Sequence, residues 1–334
     1  MGNQGLRVVI VGAGVMGGIH AKIAAGQDGA KICYVVDASK ERAGKLAADY
    51  GALALTDISG IPDGAADFAY VCLPNDLHAD AAVAALEKGL HTFCEKPMAT
   101  GVADATRMGK AARRMGRRLF VGHNRRFAPV YLAAKEAVDG EGFAPHSINM
   151  IQNDGDMGGE GSLWAADFVH LGGFLYDTTI HFLDMAEFLV GGIREVRALS
   201  QSACYPVEDD FAIQLRFEGG AIGAITSCGH ASWVFPFERV QVVGDHRSVI
   251  TEELDSFRHC PGLSQAIVGR DYSKMPFETK WGYAPMHEAM MGALETGRPS
   301  PNDWEVGLRA VELVAACLES AARGGAAVGT RAAR

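Results

Sequence analysis

The 334-residue sequence predicts an α/β chain in two parts. The first is an N-terminal doubly wound parallel sheet. The second is a C-terminal α+β domain with a large, mostly antiparallel open sheet. Three observations predict this. Short apolar runs alternate with helical stretches through the first third of the chain. A glycine-rich turn directly follows the first run. Beyond about residue 122 the pattern changes to period-two alternation. Continuous apolar runs mark strands covered on both faces, whereas alternation marks strands with one wet face.

Taken in order, Leu6–Val11 is a buried strand and residues 15–27 a helix rich in Ala, Ile and Gly. Ile32–Asp37 is a second strand, and Ser39 is placed to cap a helix running to Tyr50. Phe68–Leu73, His91–Cys94 and Leu119–Gly122 are further apolar strands, separated by helices at Asp76–Gly89 and Val102–Met115. After a helix at Val130–Val138 comes a helix at Phe174–Leu189. Phe211, Ile213, Leu215 and Phe217 then share one face of a strand, and Ile222–Ser227, Arg239–Val243 and Ser248–Glu252 continue the style. A final helix spans Glu305–Ala322. The expected division is a dinucleotide-binding domain at 1–122, a substrate-binding and oligomerisation domain at 123–323, and a flexible tail at 324–334.

Composition removes several classes of function. The chain is 48% hydrophobic and 21% charged, too apolar to be disordered. Its net charge of -9 argues against wrapping nucleic acid or an anionic membrane surface. Cys33, Cys72, Cys94, Cys204, Cys228, Cys260 and Cys317 are scattered, odd in number and never paired as CxxC. They read as small apolar residues in a reducing compartment. Met1–Leu6 lacks a signal-peptide pattern, and no apolar run approaches the ~18 residues of a membrane span. The expectation is a soluble, cytoplasmic protein without nucleic-acid or membrane partners.

Gly12-Ala13-Gly14-Val15-Met16-Gly17 matches GxGxxG between the first strand and the first helix. Gly12 permits the tight turn, Gly14 lets the backbone approach a pyrophosphate, and Gly17 lets helix and strand pack closely. The helix N-terminus then offers amide donors to the phosphates. Asp37 ends the second strand 20 residues beyond Gly17. A carboxylate there accepts the ribose hydroxyls and repels a 2′-phosphate, which favours NAD over NADP; the bland alternative is a helix cap.

Asp177 and His181 stand four apart and share a face on a helix. A carboxylate beside an imidazole suits a general base, or simply a satisfied polar pair. A metal set of Asp177, His181 and Asp184 is weaker, since it lacks a further His or Cys at familiar spacing; no metal is expected. Lys96, in Glu95-Lys96-Pro97 after the fifth strand, lies at the sheet edge where ligands bind such folds.

These pieces together resemble the glucose–fructose oxidoreductase / inositol dehydrogenase family of sugar and cyclitol dehydrogenases. The carriers are Gly12–Gly17, Asp37, Leu73-Pro74-Asn75 with His78, and Glu95-Lys96-Pro97. His123-Asn124-Arg125-Arg126-Phe127 and Gly172 through Asp184, which contains DxxxHxxD, complete the set. The resemblance covers nearly the whole chain. It implies a Rossmann domain plus a wide mixed sheet, with Lys96, Asp177 and His181 acting as a set. His181 would accept the hydroxyl proton as hydride passes to the nicotinamide C4 of NAD. Lys96 would polarise the same oxygen, and Asp177 would orient the histidine or bind a neighbouring hydroxyl. The resemblance also implies cofactor contacts from Gly12, Gly14, Val15, Met16, Gly17, Asp37, Leu73, Pro74, Asn75, His78, Glu95 and Lys96, with the Lys96–Pro97 bond often cis.

Substrate contacts are expected from Lys96, Asn124, Arg125, Arg126, Trp164, Thr178 and His181. The basic run Lys110, Arg113, Arg114, Arg117, Arg118, Arg125 and Arg126 leaves an anionic sugar, as phosphate or nucleotide conjugate, open. Most of that run reads as a solvated helix end. Residues 154–168 read as a glycine-rich lid, in which Trp164 would stack on a sugar ring or simply anchor the loop. Trp233 and Trp281 read as core or interface. The expected activity is NAD-dependent oxidation of a secondary alcohol of a sugar, cyclitol or derivative, or the reverse. The alternatives are an NADP-using sugar oxidoreductase and a non-catalytic dinucleotide-binding regulator; a methyltransferase fits less well. A broad sheet face points to a homodimer or homotetramer.

Overall fold

The computed structural model describes residues 5–27, 29–154, 171–231 and 235–330. The chain forms two compact units: Met1–His123 with Tyr283–Leu308, and Asn124–Gly282 with Arg309–Arg334. The return of residues 283–308 to the first unit, which the sequence reading did not include, has a local cause. Val121 donates its N–H to Asn302 O at 2.8 Å, Asn302 Nδ2 donates to Val121 O at 3.0 Å, and Phe120 bridges Asp303. Segment 300–303 therefore extends the edge strand's pairing.

The first unit carries a six-stranded parallel sheet in the order β3-β2-β1-β4-β5-β6. Its strands are β1 (Arg7–Val11), β2 (Lys31–Val36), β3 (Leu53–Leu55), β4 (Phe68–Val71), β5 (His91–Cys94) and β6 (Leu119–Val121). β3 was not visible in the sequence: three residues are too few for a period to emerge. The crossovers are α1 (Val15–Ala25), α2 (Lys40–Tyr50), α3 (His78–Glu87) and α4 (Val102–Met115). Ser39 does cap α2, its side chain accepting from Arg42 N. Val8, Val9, Ile10, Phe68, Tyr70 and Phe93 are fully buried, as strands covered on both faces must be.

The second unit carries α5 (Pro129–Val138) and a nine-stranded sheet. Its strands are β7 (Pro145–Asn153), β8 (Ile193–Gln201), β9 (Asp210–Phe217), β10 (Ile222–Cys228), β11 (Glu238–Gly244), β12 (Arg247–Glu252), β13 (Ser256–Cys260), β14 (Val268–Asp271) and β15 (Val328–Gly329). Their order is β14-β13-β12-β11-β7-β10-β9-β8-β15, with only β7 and β10 running parallel. In β9 the predicted face, Phe211 to Phe217, is the buried one. Most of the expected flexible tail is ordered: β15 pairs with β8, and Thr330 donates to Arg194 O at 2.9 Å. Residues 331–334 lie outside the described residues.

The expected helix at 174–189 contains a different first turn. Residues Leu175–Thr179 are π-helical, and the regular helix α6 begins at Ile180 and ends at Val190. Gly172 and Gly173, at φ 78° and 94°, precede it. Single π turns are costly and recur at functional sites. The remaining helices are α7 (Phe277–Lys280), α8 (Tyr283–Thr296) and α9 (Trp304–Ala322). None of the described helices is long and apolar enough to cross a membrane.

Candidate active site

In the first unit the motif residues gather at the carboxyl ends of the parallel strands. Order reverses around β1, between β2 and β4, which is where a doubly wound sheet opens its ligand crevice. Gly12 follows β1 with φ +101°, and a Cβ there would lie 2.2 Å from Cys72 O. A Cβ on Gly17 would lie 1.9 Å from Gly12 O, so α1 can approach the turn only with glycine. At Gly14 a Cβ would meet nothing within 4 Å, leaving open space over the turn. No side chain caps α1 and no acid occupies its first turn, so its leading N–H groups are available to an anion. Val15 beside them is exposed. These residues fit the pyrophosphate of a dinucleotide.

Asp37, buried at the end of β2, organises the same turn. Its carboxylate accepts Ala13 N and Ser39 N, each at 2.8 Å, and Arg42 Nη2 at 2.8 Å. Burial alone would raise its pKa, but Arg42 and the two backbone donors outweigh burial and hold it below the ordinary carboxylate value. Leu73 is half-buried, Pro74 is exposed and Asn75 is buried as the start of the short 3-10 turn Asn75–Leu77.

His78 departs from its expected cofactor contact. Its ring is buried, with Nδ1 2.7 Å from Pro97 O and Nε2 2.8 Å from Leu73 O. Each nitrogen faces a backbone carbonyl, and the neutral ring donates its one N–H to one of them, so the ring sits between the loop after β4 and the loop after β5. Burial pushes its pKa down, against the pull of those carbonyls and of Glu95. The Lys96–Pro97 bond is cis, and Lys96 is half-buried after it. Glu95 Oε2 accepts the Lys96 N–H at 3.0 Å, and Oε1 lies 2.6 Å from His20 Nε2. Nothing in the sequence drew attention to His20. Its only signal was a polar ring in a helix whose other residues, Lys22 aside, are small or apolar.

In the second unit Asp177, Thr178 and His181 are all buried across the π turn and the start of α6. Thr178 Oγ1 lies 2.8 Å from Asp154 Oδ2 and 3.2 Å from Asp177 Oδ2. Thr179 Oγ1 meets Ser227 Oγ at 2.8 Å, pinning the π turn to β10. Asp154, reached only as the edge of an expected lid, is thus part of the cluster. The remainder of that lid, with Trp164, lies outside the described residues, as does Trp233.

The arginines reserved for an anionic substrate are engaged internally, which corrects that expectation. Arg126 binds Asp184 through Nε at 3.0 and 2.8 Å and through Nη2 at 2.7 Å. Arg125 is 4% exposed, pairs with Glu238 at 3.1 Å and lies over the Trp281 ring at 4.5 Å. Glu238 also accepts the Tyr131 hydroxyl. Asn124 is 1% exposed and donates to Trp281 O. Trp281 is therefore a packing residue, as expected. Three more of the basic run are likewise paired: Arg114 with Glu87, Arg118 with Asp303, and Arg113 with Glu305 and the Trp304 ring.

Two overlapping triads, Cys204–Asp209–His230 and Asp210–Cys228–His230, bring ligating atoms within 4.8 Å of one another. Their acids already have work. Asp209 accepts the N–H groups of Ala203, Cys204 and Tyr205, and Asp210 pairs with His230 at 3.0 Å. The cluster reads as a loop staple.

Residues 6–123 match the family profile described as an oxidoreductase family with an NAD-binding Rossmann fold. Residues 149–329 match the profile of that family's C-terminal alpha/beta domain. The chain belongs to the GFO/IDH/MocA oxidoreductase family. Among curated relatives, it is 28% identical over 95% of its length to an inositol 2-dehydrogenase of Rhizobium meliloti, covering 97% of that protein. It is 27% identical over 85% of its length to a scyllo-inositol 2-dehydrogenase (NAD+) of Bacillus subtilis, covering 82% of it. Among solved structures, GenD2 from gentamicin A biosynthesis, in complex with NAD, superposes with a TM-score of 0.84 at 25% identity, covering 98% of this chain and 97% of that one. A levoglucosan dehydrogenase in complex with NADH and L-sorbose shares the fold with a TM-score of 0.89, at 22% identity over 98% of this chain and 100% of that one. This family member is an NAD-binding oxidoreductase that acts on CH–OH groups.

Proposed function

We propose that this oxidoreductase oxidises a secondary alcohol of a sugar or cyclitol to the ketone, or runs the reverse, with Lys96, Asp177 and His181 carrying the chemistry. The observation that carries the reading is the burial of Asp177 on the π turn and of His181 in the first turn of α6, in a family whose curated relatives include inositol dehydrogenases. NAD, when bound, accepts the hydride. His181 takes the proton from the hydroxyl oxygen while the carbon that bears it gives up the hydride and the carbonyl forms, which is general-base work worth roughly 10²–10⁴ in rate. Lys96 places a cation at that oxygen, where negative charge grows in the transition state. Asp177 orients the imidazole or receives a neighbouring hydroxyl, and the Thr178 hydroxyl, shared with Asp154, meets its carboxylate. The ordered contacts of Arg125 and Arg126 favour a neutral polyol over an anionic sugar. Self-association through the open face of the nine-stranded sheet, as a homodimer or homotetramer, belongs to the same reading, and light scattering of the purified protein tests it.

The test is a panel of cyclitols, free sugars, sugar phosphates and nucleotide sugars, followed by reduced-cofactor absorbance with NAD and with NADP. Turnover of a neutral polyol with NAD supports the reading. Turnover only with NADP selects the NADP-using alternative. Nucleotide binding without turnover of any substrate selects the regulatory one.

A further inference from the structure

Glu95 is the end of a buried chain of titratable groups that the proposed chemistry does not use. All members lie in the first unit. Tyr70 stands on β4, His20 on α1, His287 on α8 and Glu95 after β5. The first three are wholly buried and Glu95 is 6% exposed. Tyr70 Oη is 3.1 Å from His287 Nδ1, His287 Nε2 is 2.8 Å from His20 Nδ1, and His20 Nε2 is 2.6 Å from Glu95 Oε1. The rings stack as well as bond. His287 lies 5.1 Å from His20 at 8° and 4.9 Å from Tyr70 at 13°, with Phe93 against His20 at 4.7 Å.

Hydrogen-bond bookkeeping assigns a direction to this chain. Burial holds the Tyr70 phenol protonated and keeps His287 neutral. Among the described residues the Tyr70 hydroxyl meets no partner but His287, so its O–H donates to Nδ1. His287 then carries its proton on Nε2 and donates to His20 Nδ1. His20 carries its proton on Nε2 and donates to Glu95. Every nitrogen and oxygen in the chain is satisfied, and each bond polarises the next toward the carboxylate. At the far end the second carboxylate oxygen accepts the Lys96 N–H. A Cβ on Gly122 would lie 2.7 Å from that oxygen, so the backbone closes over it.

We propose that Tyr70, His287 and His20 form a directed relay that positions Glu95, and through Glu95 the backbone from which Lys96 extends. His20 is a positioning residue in this account, and the proposal rests on the reading of Lys96 as catalytic. The relay does two things. It fixes Glu95 Oε1, so that Oε2 stays on the Lys96 N–H. It also keeps a carboxylate ionised where burial opposes the charge. Burial raises the Glu95 pKa, while His20 and Lys96 outweigh burial and hold it below the ordinary value. The other groups facing this pair are His78, Cys72 and Cys94 around Glu95, and Tyr283 edge-on to His20 at 5.9 Å.

The test compares His20→Leu, His20→Gln, His287→Phe and Tyr70→Phe with the full-length wild type. The first readout is the 13C resonance of the Glu95 side-chain carboxyl against pH, assigned by its loss in Glu95→Gln. It needs no turnover. In the wild type the carboxyl stays ionised below the ordinary glutamate range. In His20→Leu its titration moves up by roughly one to two pH units. The second readout is kcat/KM for the polyol against pH, whose acid limb moves up with the carboxyl. At a pH below the shifted limb this is a roughly 10- to 100-fold loss. His20→Gln, which keeps one N–H donor, recovers most of both. His287→Phe and Tyr70→Phe give progressively smaller shifts. Should His20→Leu fail to fold, His287→Phe and His20→Gln decide by the same two curves. A Glu95 titration and acid limb unchanged in folded relay variants would overturn the proposal. If the wild type turned over no polyol, the functional reading would fail while the carboxyl titration still decided the relay.

Discussion

Asp37→Ser probes cofactor choice most sharply, and the structure sets its size. The Asp37 carboxylate offers about four lone-pair sites. Ala13 N and Arg42 Nε, the latter at 3.4 Å, lie on one oxygen; Ser39 N and Arg42 Nη2 lie on the other. Ribose hydroxyls must therefore replace a donor already present. The replaceable one is Arg42, whose side chain is 61% exposed, whereas the two backbone donors are fixed by the fold. An exposed pair costs little to break, so Arg42→Ala should change NAD affinity by roughly fivefold at most. Asp37→Ser removes charge-assisted hydrogen bonds to the ribose worth about 1.5–3 kcal/mol, a roughly 10- to 150-fold loss of NAD affinity. It also lifts the repulsion of a 2′-phosphate and frees Arg42 to meet it, so NADP should gain as NAD loses. Dissociation constants for NADH and NADPH, from fluorescence titration of both variants, check this. A ratio of the two constants unchanged by Asp37→Ser would refute the ribose role of Asp37.

Other outcomes follow from the same contacts. Arg126→Leu strands the buried Asp184 carboxylate and should cost about 3–5 kcal/mol in denaturant unfolding, while Arg126→Leu with Asp184→Leu should recover much of it; equal losses in the single and double variants would contradict this. Gly17→Ala places a methyl group where Gly12 O already sits, so nucleotide affinity and thermal stability should fall together, and an unaltered NADH titration would refute the packing role. The Asp209 pKa is lowered: burial opposes this, but three backbone N–H groups prevail. Its contribution is therefore fully present above the unfolded carboxylate value and is lost only as pH falls through the lower folded value. Asp209→Ala should flatten that acid limb of the stability curve, and a pH–stability profile parallel to the wild type would contradict it.

Much of this was legible before any coordinates. Continuous apolar runs located five of the six parallel strands to within a residue or two, because burial on both faces leaves little room for polar residues. The glycine fingerprint and Asp37 were legible because each is local, a turn or the end of a strand; the π turn at Leu175–Thr179 was not, because the sequence spacing there reads as an ordinary helix. What failed was non-local. The basic run looked like a patch because its partners, Glu238, Asp184 and Asp303, lie 58 to 185 positions away in the chain. The relay of Tyr70, His20 and His287 spans three separate elements and has no period. The return of 283–308 to the first unit depends on edge pairing with β6, which no pattern within that segment announces.

The central claim is that Lys96, Asp177 and His181 oxidise a neutral polyol with NAD. The most direct measurement is steady-state NADH formation on cyclitols and free sugars by the wild type, His181→Ala and Lys96→Met, alongside NADH binding by each. The account predicts turnover by the wild type, a roughly 10²–10⁴-fold fall in kcat for His181→Ala, and NADH affinity retained in that variant. Undiminished turnover in His181→Ala would contradict it.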